Sequence, residues 1–154
     1  MKKKKDIVII LPDIRSAHNT GSFFRTGDAA GITKIYISGY TAPPPHPHVL
    51  KVSLGSEESV PWEHIEDTHA VIKKCREEGY QIVAVEQTPD SVDYRKADYG
   101  DKVALVFGNE VRGVEEEFLK ECDIAIQLPM AGIKESLNVS VCGGIVIYAL
   151  AYQQ

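Results

Sequence analysis

Three short stretches combine residue types that can bind or transform a ligand. The first is Asn19-Thr20-Gly21-Ser22-Phe23-Phe24-Arg25. On a helix, Gly21 leaves the surface one turn before Arg25 bare, so a phosphate can approach and the guanidinium can grip it through two parallel hydrogen bonds. A surface arginine in an ion pair is the plainer alternative. The second stretch is Phe107-Gly108-Asn109-Glu110-Val111-Arg112-Gly113, and the third is Leu128-Pro129-Met130-Ala131-Gly132-Ile133-Lys134-Glu135-Ser136-Leu137-Asn138. Their glycines permit positive φ and close backbone approach. Together the two stretches can present backbone N–H and C=O groups to a flat polar ligand, with Leu128, Met130 and Leu137 against its aromatic part. Tight turns without a ligand are the competing reading. Familiar nucleotide motifs are missing: no GxGxxG follows a strand, and Gly108 and Gly113 have P-loop spacing but lead into Val114 rather than Lys-Ser/Thr. HExxH, CxxC and GxSxG are absent as well.

Alternating strands and helices must position these stretches. Lys5–Leu11 predicts a buried strand ended by Pro12 and Asp13. Asn19–Ala30 predicts a helix capped by Asn19 or Thr20 and closed by a left-handed Gly31. Lys34–Ser38 alternates as a strand, so the order is βαβ and the sheet parallel. Gly39–His48, with Pro43, Pro44, Pro45 and Pro47, predicts an exposed loop. Beyond it the pattern gives a helix over Asp67–Glu78, a strand over Gln81–Glu86 and a loop over Thr88–Gly100. A strand over Val103–Phe107, a short acidic helix over Val114–Lys120, a strand over Asp123–Leu128 and an apolar helix over Leu137–Tyr152 complete it. The second and third stretches thus sit at carboxyl ends of strands, where open parallel sheets bind ligands.

The 154 residues suit one domain, and 44% hydrophobic with 25% charged residues is ordinary for a globular chain. The formal charge is −5 even with Lys2, Lys3, Lys4 and Lys5 included. Gross charge therefore does not announce a nucleic-acid binder, and any basic surface is local. No apolar run approaches the roughly 20 residues of a membrane span. The lysines and the apolar run after them resemble a signal peptide only superficially, since Pro12, Asp13 and Arg15 cut the run short. Cys75, Cys122 and Cys142 are odd in number and lack zinc spacing, which fits a reducing, cytoplasmic setting.

Taken in order, the three stretches resemble the motifs of the SpoU branch of the SPOUT superfamily, the RNA ribose 2′-O-methyltransferases, and the resemblance spans Ile7 to Tyr152. It implies an α/β domain over 1–154: a parallel sheet of five or six strands, helices on both faces, and a C-terminal deep trefoil knot. It also implies a homodimer in which each active site is completed near the partner chain. S-adenosylmethionine would be held by Gly108, Asn109, Glu110, Gly113, Leu128, Met130, Ser136, Leu137 and Asn138, largely through backbone. Arg25 would be catalytic, with Asn19 shaping the site and Ser136 and Asn138 as the polar pair of the third motif. Glu110 would be a local organiser that touches Arg25 or RNA. The implied reaction is methyl transfer to a ribose 2′-oxygen of tRNA or rRNA, with no metal and no membrane. A guanidinium pKa above about 12 makes Arg25 a poor base, so a fixed cation that stabilises the developing alkoxide is the preferred role. Two other readings stand beside this one: a knotted RNA-binding protein without catalysis, and an unrelated nucleotide-binding α/β protein.

The remaining conspicuous residues have plainer expectations. His46 and His48 lack a third ligand nearby in sequence and are expected in a loop that meets RNA rather than on a metal. His18 is an ordinary loop histidine or a substrate contact. Lys51–Glu58 with Val60-Pro61-Trp62 also resembles the family, and Trp62 is expected to pack rather than stack on a base. Lys2–Lys5 is either a frayed terminus or a phosphate-attracting arm. Gly143 and Gly144 inside a helix would each cost on the order of 1 kcal/mol relative to Ala, a cost that close helix packing offsets. Cys142 is expected to be buried and inert.

Overall fold

The computed structural model describes residues 4–152. Strands β1 (Asp6–Pro12), β2 (Lys34–Ser38), β3 (Trp62–His64), β4 (Gln81–Val85), β5 (Val92–Asp93), β6 (Lys102–Val106) and β7 (Ile124–Gln127) form one sheet in the order β3-β2-β1-β6-β4-β7-β5. Every pairing is parallel. The central β1 is buried along nearly its whole length, because a parallel strand covered on both faces must be apolar throughout. Ile7, Ile9 and Leu11 face one layer with Phe23, Phe24, Val146 and Ile147. Val8 and Ile10 face the other, with Val71, Ile72, Cys75 and Phe118.

The first layer is built by α1 (Ala17–Ala30) and α6 (Val139–Ala151), joined by α2 (Pro47–Ser53) and α3 (Ser56–Ser59); α4 (Thr68–Glu77) and α5 (Glu116–Leu119) cover the opposite face. The expected α/β sheet with helices on both faces is present, with seven strands rather than five or six. The extra strands, β3 and β5, are edge strands of three and two residues, too short to show a period of two in sequence. The proline-rich stretch is partly helical. Pro47 opens α2, where a missing N–H costs nothing, and His46 Nδ1 caps the helix by accepting from His48 N–H. The α5 helix is shorter than Val114–Lys120, and α1 begins earlier than expected: Ser16 is its cap, accepting from the Asn19 N–H. Asn19 is thereby released for another role.

Gly31 closes α1 at φ 72° as expected. Gly143 allows α6 to lie against α1, since a Cβ there would collide with the Phe23 ring. Gly144 is not tight; its Cβ would only touch the Thr26 methyl at 4.0 Å. Trp62 packs edge-on to Phe24, with ring centroids 6.5 Å apart. The Lys2 and Lys3 part of the basic terminus lies outside the described residues, whereas Lys5 is fastened by donating to the Tyr99 and Gly100 carbonyls. Among the described residues no helix is long and apolar enough to cross a membrane.

Candidate active site

A cleft of about 430 Å³ opens at the carboxyl ends of β6, β4 and β7. All nine residues expected to hold a cofactor line it: Gly108, Asn109, Glu110, Gly113, Leu128, Met130, Ser136, Leu137 and Asn138. Val85, Ile126 and Val139 add apolar wall.

The 108–114 turn is closed by its own chain. Asn109 N–H donates to the Gly113 carbonyl at 3.1 Å, and Gly113 N–H donates back to the Asn109 carbonyl at 2.8 Å. A Cβ on Gly108 would run into the Gly113 and Val114 backbone, so this glycine serves the fold-back of the turn. The Asn109 side chain is also consumed internally. Its Oδ1 accepts from Val111 and Arg112 N–H at 2.8 and 3.0 Å, and its Nδ2 donates to the Asp13 carbonyl and the Tyr40 hydroxyl, both at 2.8 Å. Side chain and backbone of Asn109 are thus both committed to holding the turn.

Glu110 reaches across to the start of α1. Its two oxygens accept from Arg15 N–H and Ser16 N–H at 2.8 Å each, and Oε2 also accepts from Asn19 Nδ2 at 2.9 Å. Burial pushes the Glu110 carboxyl up, but these donors outweigh it and the net shift is downward. Asn19 is buried, and its Oδ1 accepts from Asn138 Nδ2 at 3.3 Å and Ser140 Oγ at 3.4 Å. Asn138 in turn caps α6 through Ser140 and Val141 N–H. The three stretches thus meet in one chain of hydrogen bonds, Glu110 to Asn19 to Asn138. The organising role of Glu110 is present; its partner is the α1 N-terminus and not Arg25.

Arg25 sits apart from this network. It is exposed on α1 and does not line the cleft of its own chain. The bare surface expected beside it is filled: Gly21 is buried, and a Cβ there would lie 2.5 Å from the Val49 carbonyl oxygen. The glycine admits α2, so no phosphate reaches the helix at that point.

Several residues at the site escaped sequence reasoning. Glu86, at the end of β4, lines the cleft and accepts from Val114 N–H at 2.7 Å, holding the far side of the turn. Ser140 braces Asn138 through a 2.7 Å bond to Oδ1. The strand end placed Glu86 near the ligand edge, but no spacing tied it to the turn. Cys142 also lines the cleft; burial, aided by the charge of Glu86, pushes its thiol up to about 11, which leaves it protonated and unreactive at neutral pH. His18, His46 and His48 come together on the α1–α2 side, ring centroids 5.1 and 5.5 Å apart. Among the described residues no three ligating side chains are grouped to hold a metal ion.

The model of the SpoU rRNA methylase family matches residues 6–148. The chain belongs to the SpoU family. It is 32% identical over 154 residues to a tRNA (guanosine(18)-2′-O)-methyltransferase of Aquifex aeolicus, which covers 99% of this chain and 72% of that protein. It is 31% identical to the enzyme of the same name from Thermus thermophilus, over 99% of this chain and 78% of that one. The crystal structure of the A. aeolicus TrmH/SpoU tRNA modifying enzyme superposes with a TM-score of 0.86 at 32% identity, covering 99% of this chain and 77% of the other. That of an AdoMet-bound rRNA methyltransferase from Sinorhizobium meliloti gives 0.87 at 31% identity, over 95% of this chain but 56% of the other. In this SpoU protein the three stretches are joined through Glu110, Asn19 and Asn138.

Proposed function

We propose that this SpoU protein is an S-adenosylmethionine-dependent methyltransferase acting on a ribose 2′-hydroxyl of tRNA or rRNA. The observation that carries the reading is the convergence of the second and third motifs on one cleft at the carboxyl edge of the sheet. The cleft suits the cofactor. Its volume lies within the roughly 300–1,000 Å³ of small-molecule sites, Val85, Ile126, Leu128, Met130 and Leu137 offer apolar surface to an adenine, and Ser136 and Asn138 supply a polar rim. When bound, S-adenosylmethionine supplies a methyl group carried on an electrophilic sulfonium.

The chain's own residues then have separable tasks. Glu110 and Asn19 lock the start of α1 to the 108–114 turn, and Asn138 ties α6 to the same point. Arg25 contributes a fixed cation that binds RNA phosphate and stabilises the alkoxide as the 2′-oxygen attacks in line. The proton passes to an RNA phosphate oxygen or to water.

Because Arg25 does not line its own chain's cleft, we assign it to the cleft of a second subunit in a homodimer. The exposed stripe Val141, Ile145, Tyr148 and Tyr152 on α6, beside α1, supports that pairing. The C-terminal trefoil knot of the family, a single domain over 1–154 and a cytoplasmic setting, in keeping with three free thiols, complete the proposal.

The test is methyl-labelled S-adenosylmethionine with unmodified tRNA and rRNA, digested to nucleosides, with Arg25→Ala alongside. Label in a 2′-O-methylnucleoside, lost in the variant, is the expected result. Label in a base overturns the ribose assignment, and neither label nor cofactor binding favours a non-catalytic RNA-binding protein. Mixing inactive Arg25→Ala and Asn138→Ala chains should restore about a quarter of the wild-type activity, since half of the dimers then carry one complete site. No recovery after verified subunit exchange contradicts the shared site.

A further inference from the structure

The carboxyl edge of the sheet continues past the cleft, from the 108–114 turn to the loop after β1 and then to the loop after β2, where Tyr40 stands. Tyr40 is 57% exposed. Of the three exposed tyrosines among the described residues, Tyr148 and Tyr152 stack on each other on α6, with centroids 5.5 Å apart. Tyr40 is the one on the ligand edge.

An exposed side chain is ordinarily free to move, but Tyr40 is held at both ends. Its N–H donates to Asp13 Oδ1 at 2.9 Å, and its hydroxyl accepts from Asn109 Nδ2 at 2.8 Å. Gly39, at φ 58°, packs so closely on the Asp13 carboxylate that no Cβ fits. Asp13 itself is fixed by Asn109, which donates to its carbonyl. The ring is therefore tied to the turn that lines the cleft and to the loop that leads into α1. Its polar atom is satisfied, while more than half of its surface is left to a partner. Arg15 is exposed on the neighbouring loop after β1, and His64 is exposed on β3 with Nε2 3.4 Å from the Gly39 carbonyl. The Asp13 carboxylate is the acidic group at the base of the ring.

A rigid, exposed aromatic fits an unpaired nucleobase, because every base offers a π-face whatever its sequence, and an exposed arginine on the next loop suits an adjoining phosphate. We propose that Tyr40 stacks on an unpaired base of the RNA substrate while Arg15 meets an adjoining phosphate, and that this contact positions the ribose at the cleft. The inference rests on the RNA methyltransferase reading and adds a substrate-positioning residue to it.

The test compares Tyr40→Phe, which keeps the ring, with Tyr40→Ala, both in the full chain. Three quantities are read: the Kd for S-adenosylmethionine by calorimetry, KM and kcat with unmodified total tRNA and rRNA, and fluorescence quenching of a single-stranded oligoribonucleotide carrying 2-aminopurine. The expected result is an unchanged cofactor Kd in both variants, with Tyr40→Ala raising KM by about tenfold and abolishing quenching, and Tyr40→Phe staying within about threefold of wild type. Equal loss of cofactor affinity in both variants overturns the proposal, because the hydroxyl would then merely anchor Asn109. A Tyr40→Ala protein with wild-type KM and quenching also overturns it. If the wild type methylates RNA and Tyr40→Ala is indistinguishable from it, only this proposal falls. A wild type that neither methylates RNA nor quenches the probe removes the underlying reading as well.

Discussion

The two walls of the cleft are built differently. The 108–114 turn is tied down from four sides: by the Asn109–Gly113 bridge, by the Asn109 side chain, by Glu86 on Val114 and by Glu110 on the start of α1. Opposite it, residues 131–138 are all exposed, and Ile133 is 99% exposed. The first wall is preformed. The second has apolar side chains without burial, so ordering it is favourable only when something covers it. A ligand meeting this cleft binds to a fixed surface and recruits a loose one.

The largest expected effect follows from breaking the fixed wall. Gly108→Ala drives a Cβ into the Gly113 and Val114 backbone. Opening the turn should cost on the order of 1–3 kcal/mol and raise the calorimetric Kd for S-adenosylmethionine by about 100-fold at the upper end. Gly132→Ala, on the loose wall, meets nothing within 4 Å and should leave Kd within about twofold. Comparable losses from both glycines would remove the contrast.

Asn109→Ala removes four hydrogen bonds from a buried amide. Urea unfolding should show a loss of about 2–3 kcal/mol. Leu137→Ala on the other wall should leave stability within about 0.5 kcal/mol while weakening cofactor binding roughly fivefold. A large stability loss from Leu137→Ala would mean that the second wall is already packed.

The smallest effect lies away from both walls and serves as a control. His69 joins α4 to α5 through Glu117 at 3.3 Å and to the turn after α5 through Glu121 at 2.5 Å. The hydrogen bond to Glu121 raises the His69 pKa above its ordinary value, burial opposes it, and Glu117 adds to the rise. A raised histidine contributes stability that is complete below the unfolded pKa of about 6.5 and lost as pH climbs through the folded value. Wild type should therefore exceed His69→Gln in stability at pH 5.5, by less than about 1 kcal/mol because the pair is half exposed, and the gap should close at alkaline pH. Cofactor affinity should not follow this titration. A gap independent of pH would refute the charge-based coupling.

Much of this was legible in the chain. The βαβ order, the Gly31 cap and the placement of the second and third motifs at strand ends follow from apolar periodicity and glycine chemistry, which act within a few residues. What escaped depends on distant pairing. The closure of 108–114 over Gly108 places a backbone where open space for a ligand was expected. Gly21 marked a close approach correctly, but the object that approaches is α2, whose helix the prolines of 43–47 concealed. Glu86 lies 28 residues from the N–H it holds, a pairing set by β4 and β6 lying side by side rather than by any local pattern. Arg25 carried the clearest chemical signal and yet does not line its own chain's cleft, because the buried Phe23 and Phe24 set which face of α1 meets the sheet and Arg25 falls outside that face.

Amide hydrogen exchange with and without S-adenosylmethionine tests the two-wall cleft most directly. In the free protein the hydrogen-bonded amides of Asn109, Val111, Arg112, Gly113 and Val114 should exchange slowly and those of 131–137 rapidly. The cofactor should then slow 131–137 strongly and change the turn little. Equal protection gained on both segments, or none on 131–137, would contradict a cofactor site with one fixed wall and one recruited wall.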